Sequence, residues 1–328
     1  MDLSRKILMI VLILWAVVGS AVETTNNSIR GLEWQGSKPL VYTPYVPGKY
    51  RAVLIGNNQY RDEKGIWKDL QTPTNDAEAF STLLKQRFGF EDITMLTNAS
   101  RKDILHTLKE LTDRVEPNDN VIIYYAGHGF LDSDQMRGYW VPTDARGLDH
   151  STFIRNSTIR NEINIIANKA IHTLLISDSC FSGSLLRGPN RGTAVTEKTD
   201  AYYQKVMRKK SVQVLAAGGN EYVDDSYRNS GHSPFTYFLL HELSTNDQKQ
   251  ISFSELATKV KKLVANNVDQ TPEAGILQGA GDELGEFIFA RVSDTIPIEK
   301  TAIGNISSQS NKPSPLIEKA IVMPVIRF

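Results

Sequence analysis

Short apolar runs alternate with amphipathic stretches along most of the chain. The runs are rich in Val, Ile and Leu and lack internal alternation, which is typical of strands buried on both faces. Between them, apolar residues recur every three or four positions, as on one face of a helix. This order predicts an α/β fold with a mostly parallel sheet flanked by helices. The predicted strands are 51–56, 93–96, 121–126, 171–177, 211–216 and 286–289, with a short strand pair at 138–142.

Capping residues mark where several of the helices begin. Ser100 with Asp103, and Ser252 with Glu255, have the spacing of a capping box. Ser233 followed by proline has the chemistry of a helix start. The predicted helices are 74–88, a segment after Ser100, 157–168, a segment from Pro234 and a segment after Ser252.

Two of the predicted strands lead into chemically reactive residues. Strand 121–126 is followed by His128 between two glycines, and strand 171–177 is followed closely by Cys180, the only cysteine in the chain. Working residues gather at the carboxyl ends of strands in open α/β sheets, so we expect the imidazole and the thiol to lie together. A lone cysteine is usually a buried hydrophobe and a lone histidine usually structural. Their joint placement favours a nucleophile–base pair instead.

Composition limits the classes of function. The 328 residues carry 37 basic and 37 acidic side chains, so the formal net charge is zero. No global field therefore favours nucleic acid or an anionic membrane as a partner. The sequence contains no Cys-x-x-Cys or His-Glu-x-x-His spacing for zinc and no glycine-rich phosphate loop.

The first 21 residues have the pattern of a secretory signal peptide. Arg5 and Lys6 precede an apolar run at 7–18, and small residues end at Ala21, the expected cleavage point. An uncleaved anchor is the alternative, although the run is shorter than the roughly 20 residues of a spanning helix. We expect an exported protein, periplasmic or extracellular, with no stable membrane association after cleavage. Residues 22–48 are predicted to be an irregular lead-in.

Two motifs carry a resemblance to a known family. Tyr-Tyr-Ala-Gly-His-Gly at 124–129 and Asp-Ser-Cys-Phe-Ser-Gly at 178–183 resemble the catalytic motifs of caspase-like peptidases, with metacaspases and bacterial orthocaspases as the best match. The histidine lies about 50 residues before the cysteine, as in caspases. The resemblance extends over about 49–291. It implies a caspase-like three-layer sandwich and a cysteine endopeptidase with Cys180 as nucleophile and His128 as base. It also implies an oxyanion hole made by the backbone N–H groups of Gly129 and Cys180.

The resemblance implies one domain built from two segments. A large-subunit-like part at 49–186 and a small-subunit-like part at 211–292 would share one sheet. The connection 187–210, rich in Gly, Pro, Thr and basic residues, is long for an ordinary loop. Such a loop is a candidate for self-cleavage by an enzyme that cuts after basic residues. The tail 293–328 shows no periodicity and is assigned no structure.

Substrate preference depends on acidic residues near the cysteine. Asp178 stands where the caspase signature has Gln, and Asp76 lies in an Asn-Asp-Ala element like that of metacaspases, which cut after Arg or Lys. Two carboxylates in one pocket repel each other unless a cation lies between them. We therefore expect protein or peptide substrates with a basic P1 residue, the residue before the cleaved bond. Glu221 is a third candidate for this pocket. Without such a role, Asp76 would be a helix N-terminal acid and Asp178 a turn residue.

Several alternatives stay open. The chain could be a catalytically silent caspase-like interaction module, or a Cys–His hydrolase resembling legumain or gingipain. Calcium activates many metacaspases, but the sequence shows no contiguous calcium-loop spacing, so no cofactor or metal site is assigned.

Overall fold

A six-stranded sheet forms the centre of the molecule. The computed structural model describes residues 47–180, 182–186, 200–219, 223–279 and 281–292, all within one compact unit, Tyr45–Phe328. The strands are β1 (Tyr50–Gly56), β2 (Asp92–Thr97), β3 (Asn120–Ala126), β4 (Gly129–Asp132), β5 (Arg137–Trp140), β6 (Ile154–Arg155), β7 (His172–Asp178), β8 (Ser211–Ala216), β9 (Gln250–Ser252), β10 (Glu273–Ile276) and β11 (Ile288–Ala290). The α-helices are α1 (Pro73–Phe88), α2 (Arg101–Arg114), α3 (Asn156–Lys169), α4 (Asp200–Val206), α5 (Pro234–Thr245) and α6 (Phe253–Asn267).

The sheet has the order β10-β8-β7-β3-β1-β2. The five strands from β8 to β2 run parallel, and β10 pairs antiparallel with β8 at one edge. This confirms the predicted mostly parallel α/β sheet. Because β3 and β7 are direct neighbours, with Ala126 opposite Asp178, their carboxyl ends lie side by side.

Helices cover both faces of the sheet and make three layers. Alternate residues of each strand point to opposite faces, as Leu54 and Val53 of β1 do. On one face, the core includes residues of α1, α5 and α6, such as Phe80, Phe235 and Leu256. On the other face, residues of α2 and α3 complete a second core. The central strands are thus buried on both sides, which explains why they read as continuous apolar runs.

Three predicted helix starts form as the sequence indicates. Ser100 and Ser252 each accept a hydrogen bond from the third helical residue, and the side chains of Asp103 and Glu255 bond back, so both capping boxes are complete. Ser233 caps α5 by accepting from the Thr236 backbone N–H, with Pro234 as the first helical residue. These contacts satisfy backbone donors that a helix start otherwise leaves unpaired.

A small sheet, β4-β5-β6, lies beside the carboxyl end of β3. The predicted strand pair at 138–142 is confirmed in part, since β5 begins at Arg137 and pairs with β4 and β6. The Trp140 ring stacks on Tyr125 of β3 at a centroid separation of 4.1 Å. This contact joins the small sheet to the central one.

The structure corrects the predicted connection 187–210. Residues 200–206 form helix α4, and Tyr203, Val206 and Met207 are buried in a small cluster with Ile288. The segment was expected to lack apolar periodicity, but a helix of two turns is too short to show it. Residues 187–199 lie outside the described residues.

Other differences concern short edge strands. The last predicted strand, 286–289, occurs at 288–290 as β11, which pairs with β9. Neither β9 nor β10 was predicted, because three or four residues at an edge do not form a pattern. Among the described residues, no helix is long and apolar enough to cross a membrane. The predicted signal peptide 1–21, lead-in residues 22–46 and tail 293–328 lie outside the described part of the chain.

Candidate active site

The reactive residues lie where β3 and β7 end. The backbone N–H of Gly127 donates to the Asp178 carbonyl at 3.3 Å, which extends the parallel pairing past the last strand residue. Gly129 then lies so close to Cys180 that a Cβ on Gly129 would come within 2.1 Å of the Cys180 carbonyl oxygen. A glycine is therefore required here for the two loops to approach. The histidine and cysteine segments thus meet at the carboxyl ends of the parallel strands, as expected from the sequence.

A backbone carbonyl orients the His128 ring. His128 Nε2 lies 2.7 Å from the Lys68 carbonyl oxygen, and a carbonyl can only accept, so Nε2 carries the hydrogen. Nδ1 is then the nitrogen that can take up a proton. The rings of Tyr60 and Trp67 pack beside the imidazole at centroid distances of 4.7 and 5.4 Å. Tyr60 Oη also accepts the His128 backbone N–H at 2.8 Å.

The Cys180 thiol is held in its neutral form. Burial raises the pKa of the thiol to about 11, although a hydrogen bond from the Val223 backbone N–H to Sγ, at 3.3 Å, opposes this rise. The neighbouring carboxylates of Asp178 and Asp224 disfavour the thiolate further. Burial also lowers the pKa of His128. Both shifts favour a neutral thiol and a neutral imidazole over an ion pair.

Asp178 lies buried two residues before the cysteine. Its Oδ2 accepts hydrogen bonds from the hydroxyls of Ser233 and of Thr236, the latter at 2.8 Å. Its Oδ1 is buried and has no hydrogen-bond partner among the described residues. Burial, followed by the negative charge of Asp76, raises the pKa of Asp178 to about 7.

Asp76, in the first turn of α1, lies beside Asp178 and is completely buried. Its Oδ1 is 2.6 Å from His232 Nδ1, and its Oδ2 accepts the Ser233 backbone N–H at 3.3 Å. Burial raises the pKa of Asp76, while the hydrogen bond with His232 lowers it. The structure therefore brings together the two aspartates that the sequence placed in one acidic pocket.

The segment before α1 is tied to the loop before α5. The Asp225 carboxylate accepts the backbone N–H groups of Gln71 and Thr72, at 2.7 and 3.3 Å. The same loop carries Val223, which contacts the thiol, and His232. The segment that carries the Lys68 carbonyl, which orients the His128 imidazole, is therefore hydrogen-bonded to the loop that contacts the cysteine.

Some site residues were missed by the sequence analysis, and some predictions stay untested. His232 and Thr236 were not singled out, and Ser233 was recognised only as a helix cap. Glu221 lies outside the described residues. The assignment of the Gly129 and Cys180 N–H groups to an oxyanion hole stays a prediction. In the described part of the chain, no group of three or more His, Cys, Asp or Glu side chains could hold a metal ion.

Comparison with known proteins shows the family. The family model of the caspase domain matches residues 49–278, so this chain belongs to the caspase-domain family. Its relatives include Metacaspase-1A of Aspergillus niger, which is 33% identical over an alignment of 163 residues; the match covers 43% of this chain and 38% of the fungal protein. Metacaspase-1A of Aspergillus fumigatus is 33% identical over an alignment of 159 residues, and the match covers 43% of this chain and 37% of that protein. The match thus spans under two fifths of the length of these curated relatives.

A solved structure supports the fold. Caspase-1 from Spodoptera frugiperda aligns with a TM-score of 0.53 and 15% sequence identity, covering 78% of this chain and 95% of the insect chain. At this identity the likeness concerns the fold alone. The three-layer arrangement expected from the sequence is therefore confirmed as a caspase-like fold, and the sequence relatives are metacaspases.

Proposed function

We propose that this protein is a cysteine endopeptidase in which Cys180 is the nucleophile and His128 the general base. The observation that carries the proposal is the meeting of the two strand ends. The only thiol of the chain lies at the same sheet edge as an imidazole whose Nε2–H is committed to the Lys68 carbonyl. The membership of the caspase-domain family and the likeness to metacaspases support the same activity.

The neutral resting pair determines how the reaction begins. As Cys180 Sγ attacks the carbonyl carbon of the substrate, its proton passes to His128 Nδ1. The backbone N–H groups of Gly129 and Cys180 would stabilise the oxyanion of the tetrahedral intermediate. When the C–N bond breaks, the imidazolium gives its proton to the leaving amine. Water, deprotonated by the same imidazole, then hydrolyses the thioester and restores the thiol.

We propose that the substrates are proteins or peptides with Arg or Lys at P1. Asp76 and Asp178 form an acidic pocket next to the nucleophile, where burial and then the negative charge of Asp76 raise the pKa of Asp178. A guanidinium or ammonium group between the carboxylates would relieve their mutual repulsion, and Arg can do so with paired hydrogen bonds. The neutral side chains Ser233 and Thr236 contact Asp178 without supplying the missing positive charge.

Two variants and a set of peptide probes test the activity. A fluorogenic peptide with P1 Arg should be cleaved by the wild-type chain, and by neither Cys180→Ala nor His128→Ala, while both variants keep the wild-type melting temperature. An electrophilic peptide probe with P1 Arg should label Cys180, and the same probe with P1 Asp should not. A silent interaction module would react with neither probe. A Cys–His hydrolase with another P1 preference would react faster with an electrophilic probe that carries a different P1 residue.

A further inference from the structure

His232 separates the Asp76 carboxylate from solvent. The imidazole Nδ1 lies 2.6 Å from Asp76 Oδ1, so one proton is shared between the two groups. The Asp76 side chain is 1% exposed and that of His232 is 15% exposed. The imidazole is therefore the more exposed partner of the pair, and it occupies Asp76 Oδ1.

The other carboxylate oxygens of the pocket differ in whether they accept a hydrogen bond. Asp76 Oδ2 accepts the Ser233 backbone N–H, and Asp178 Oδ2 accepts two hydroxyls. Asp178 Oδ1 alone is buried without a hydrogen-bond partner among the described residues. An entering cation would thus find one vacant acceptor at once. It would reach a second, Asp76 Oδ1, only by taking the place of His232.

We propose that His232 is a displaceable internal ligand of the P1 pocket, which competes with the substrate's basic side chain for Asp76. This inference rests on the proposed preference for basic P1 residues and deepens it. The imidazole satisfies a buried carboxylate while the pocket is empty. Substrate binding must break that hydrogen bond, so the apparent affinity is lower than the intrinsic affinity of the two carboxylates.

A purely structural role for His232 makes the opposite prediction. His232 belongs to the loop before α5, which is also held to α1 by the Asn75 side chain, whose Nδ2 donates to the Gly231 carbonyl at 2.6 Å. If His232 only fixed this loop or the position of Asp76, its removal would loosen the pocket and weaken substrate binding. Tighter substrate binding after removal of His232 therefore indicates competition for Asp76, and weaker binding indicates a structural role.

Binding to an inactive full-length chain tests the proposal. In a Cys180→Ala background, a fluorescent peptide with P1 Arg is titrated and its dissociation constant measured by anisotropy. We expect His232→Ala to lower this constant by about three- to tenfold. For a peptide with P1 citrulline, the neutral isostere of arginine, His232→Ala should leave the dissociation constant unchanged. His106→Ala, which alters an exposed histidine of α2, is the matched control and should leave the constant unchanged.

A second variant keeps the test decisive if His232→Ala does not fold. His232→Gln keeps a hydrogen-bond donor for Asp76 without an imidazole, and we expect an intermediate gain. If either folded variant binds the P1 Arg peptide unchanged or more weakly, the competition model is wrong. If the Cys180→Ala parent does not distinguish arginine from citrulline, the proposed preference for a basic P1 residue is itself wrong. The two failures are thus distinguishable. In the active chain, His232→Ala should lower KM for P1 Arg.

Discussion

His128 Nε2 lies 2.7 Å from the main-chain carbonyl oxygen of Lys68. This contact does for the imidazole what a carboxylate side chain does in a catalytic triad, since it fixes the ring orientation and the tautomer. A carbonyl carries no full charge, however, and so stabilises an imidazolium less than a carboxylate would. Together with burial of both groups, this explains why the empty site favours the neutral thiol–imidazole pair over the ion pair.

The first prediction concerns the ionisation of the thiol. Because burial raises the pKa of Cys180 to about 11, alkylation by iodoacetamide should be slow at pH 7 and should rise about tenfold per pH unit up to pH 10. The chain has one cysteine, so the rate reports on this site alone. His128→Ala should leave the shape of this profile unchanged. A rate that levels off below pH 7 would instead establish a preformed thiolate–imidazolium pair.

A second prediction links specificity to stability at Asp178. The folded chain holds the proton of this carboxyl more tightly than the unfolded chain, with a pKa of about 7 instead of 3.8. This contribution to stability is fully present below pH 4 and is lost as the pH rises through 7. Asp178→Asn removes the buried charge and keeps an oxygen for Ser233 and Thr236. We expect the variant to be more stable than wild type at pH 8 by about 2–4 kcal/mol, with a much smaller difference at pH 5.

The same substitution should weaken catalysis on basic substrates. A charge-assisted contact is worth roughly 1.5–3 kcal/mol, so kcat/KM for P1 Arg should fall about ten- to a hundredfold. Urea unfolding at the two pH values and steady-state kinetics at pH 8 measure the two effects. Asp225→Asn, at a nearby carboxylate that binds backbone amides, is a control for loss of charge in general. If Asp178→Asn destabilises the chain at pH 8 or leaves cleavage after Arg intact, the acidic pocket is misassigned.

Much of the fold could be predicted from the sequence because the local sequence patterns favour the same strands and helices that the whole fold contains. The central strands are buried on both faces, so their apolar runs are unbroken, and the caps at Ser100, Ser233 and Ser252 sit where the side chains indicate. The approach of the His128 and Cys180 segments followed from parallel pairing of β3 and β7.

The hydrogen-bond partners of the site residues could not be predicted from the sequence. Every residue has a backbone carbonyl, so nothing in the sequence distinguishes Lys68 as the group that orients His128. His232 is 156 positions from Asp76 and follows no strand or repeat that would attract notice. Such contacts depend on how loops from different elements fold over the same sheet edge, which local patterns do not encode.

A third prediction concerns a buried histidine at the opposite end of β7 from Cys180. His172, at the start of β7, accepts at Nδ1 from the Ser211 hydroxyl at 2.8 Å and donates from Nε2 to the Met207 carbonyl at 3.0 Å. Burial lowers its pKa from 6.5 to about 4. The folded chain therefore resists protonation, and stability should fall as the pH drops from 6.5 towards 4.

Replacing His172 separates its contribution to the pH dependence of stability from the contributions of other titrating groups. His172→Gln keeps hydrogen-bonding capacity but does not titrate. Between pH 7.5 and 5, we expect wild type to lose about 1–2 kcal/mol more unfolding free energy than the variant, measured in urea. His150→Gln, at a partly exposed histidine, serves as the matched control. An equal pH dependence in wild type and His172→Gln would contradict the assignment.

A fourth prediction concerns export. If residues 1–21 are a signal peptide, mass spectrometry of the protein recovered from the medium or periplasm should give an N-terminus at Val22. Changing Ala21 to a bulky residue should slow this processing. Recovery of intact Met1 in the membrane fraction would establish an uncleaved anchor instead.

The last prediction places self-cleavage within the connection 187–210. The basic residues of this segment are Arg187, Arg191, Lys198, Lys205, Arg208, Lys209 and Lys210. Lys205 lies in helix α4, the Lys209 N–H donates to the Val206 carbonyl, and the Lys210 carbonyl accepts two backbone N–H groups. A peptidase binds its substrate in an extended form, so cleavage at 205–210 would first require this packed segment to unfold. We therefore expect cuts after Arg187, Arg191 or Lys198.

Variants of these two groups of residues test the location. Purified wild-type protein should yield two fragments whose new N-terminus, read by mass spectrometry, lies between 188 and 199, and Cys180→Ala should stay whole. Replacing Arg187, Arg191 and Lys198 with Ala together should block the cut, whereas replacing Arg208, Lys209 and Lys210 should not. If incubation of Cys180→Ala with active enzyme leaves it uncut, processing occurs only within one chain. Cleavage that persists in the first triple variant would show that the helical segment opens readily enough to serve as substrate.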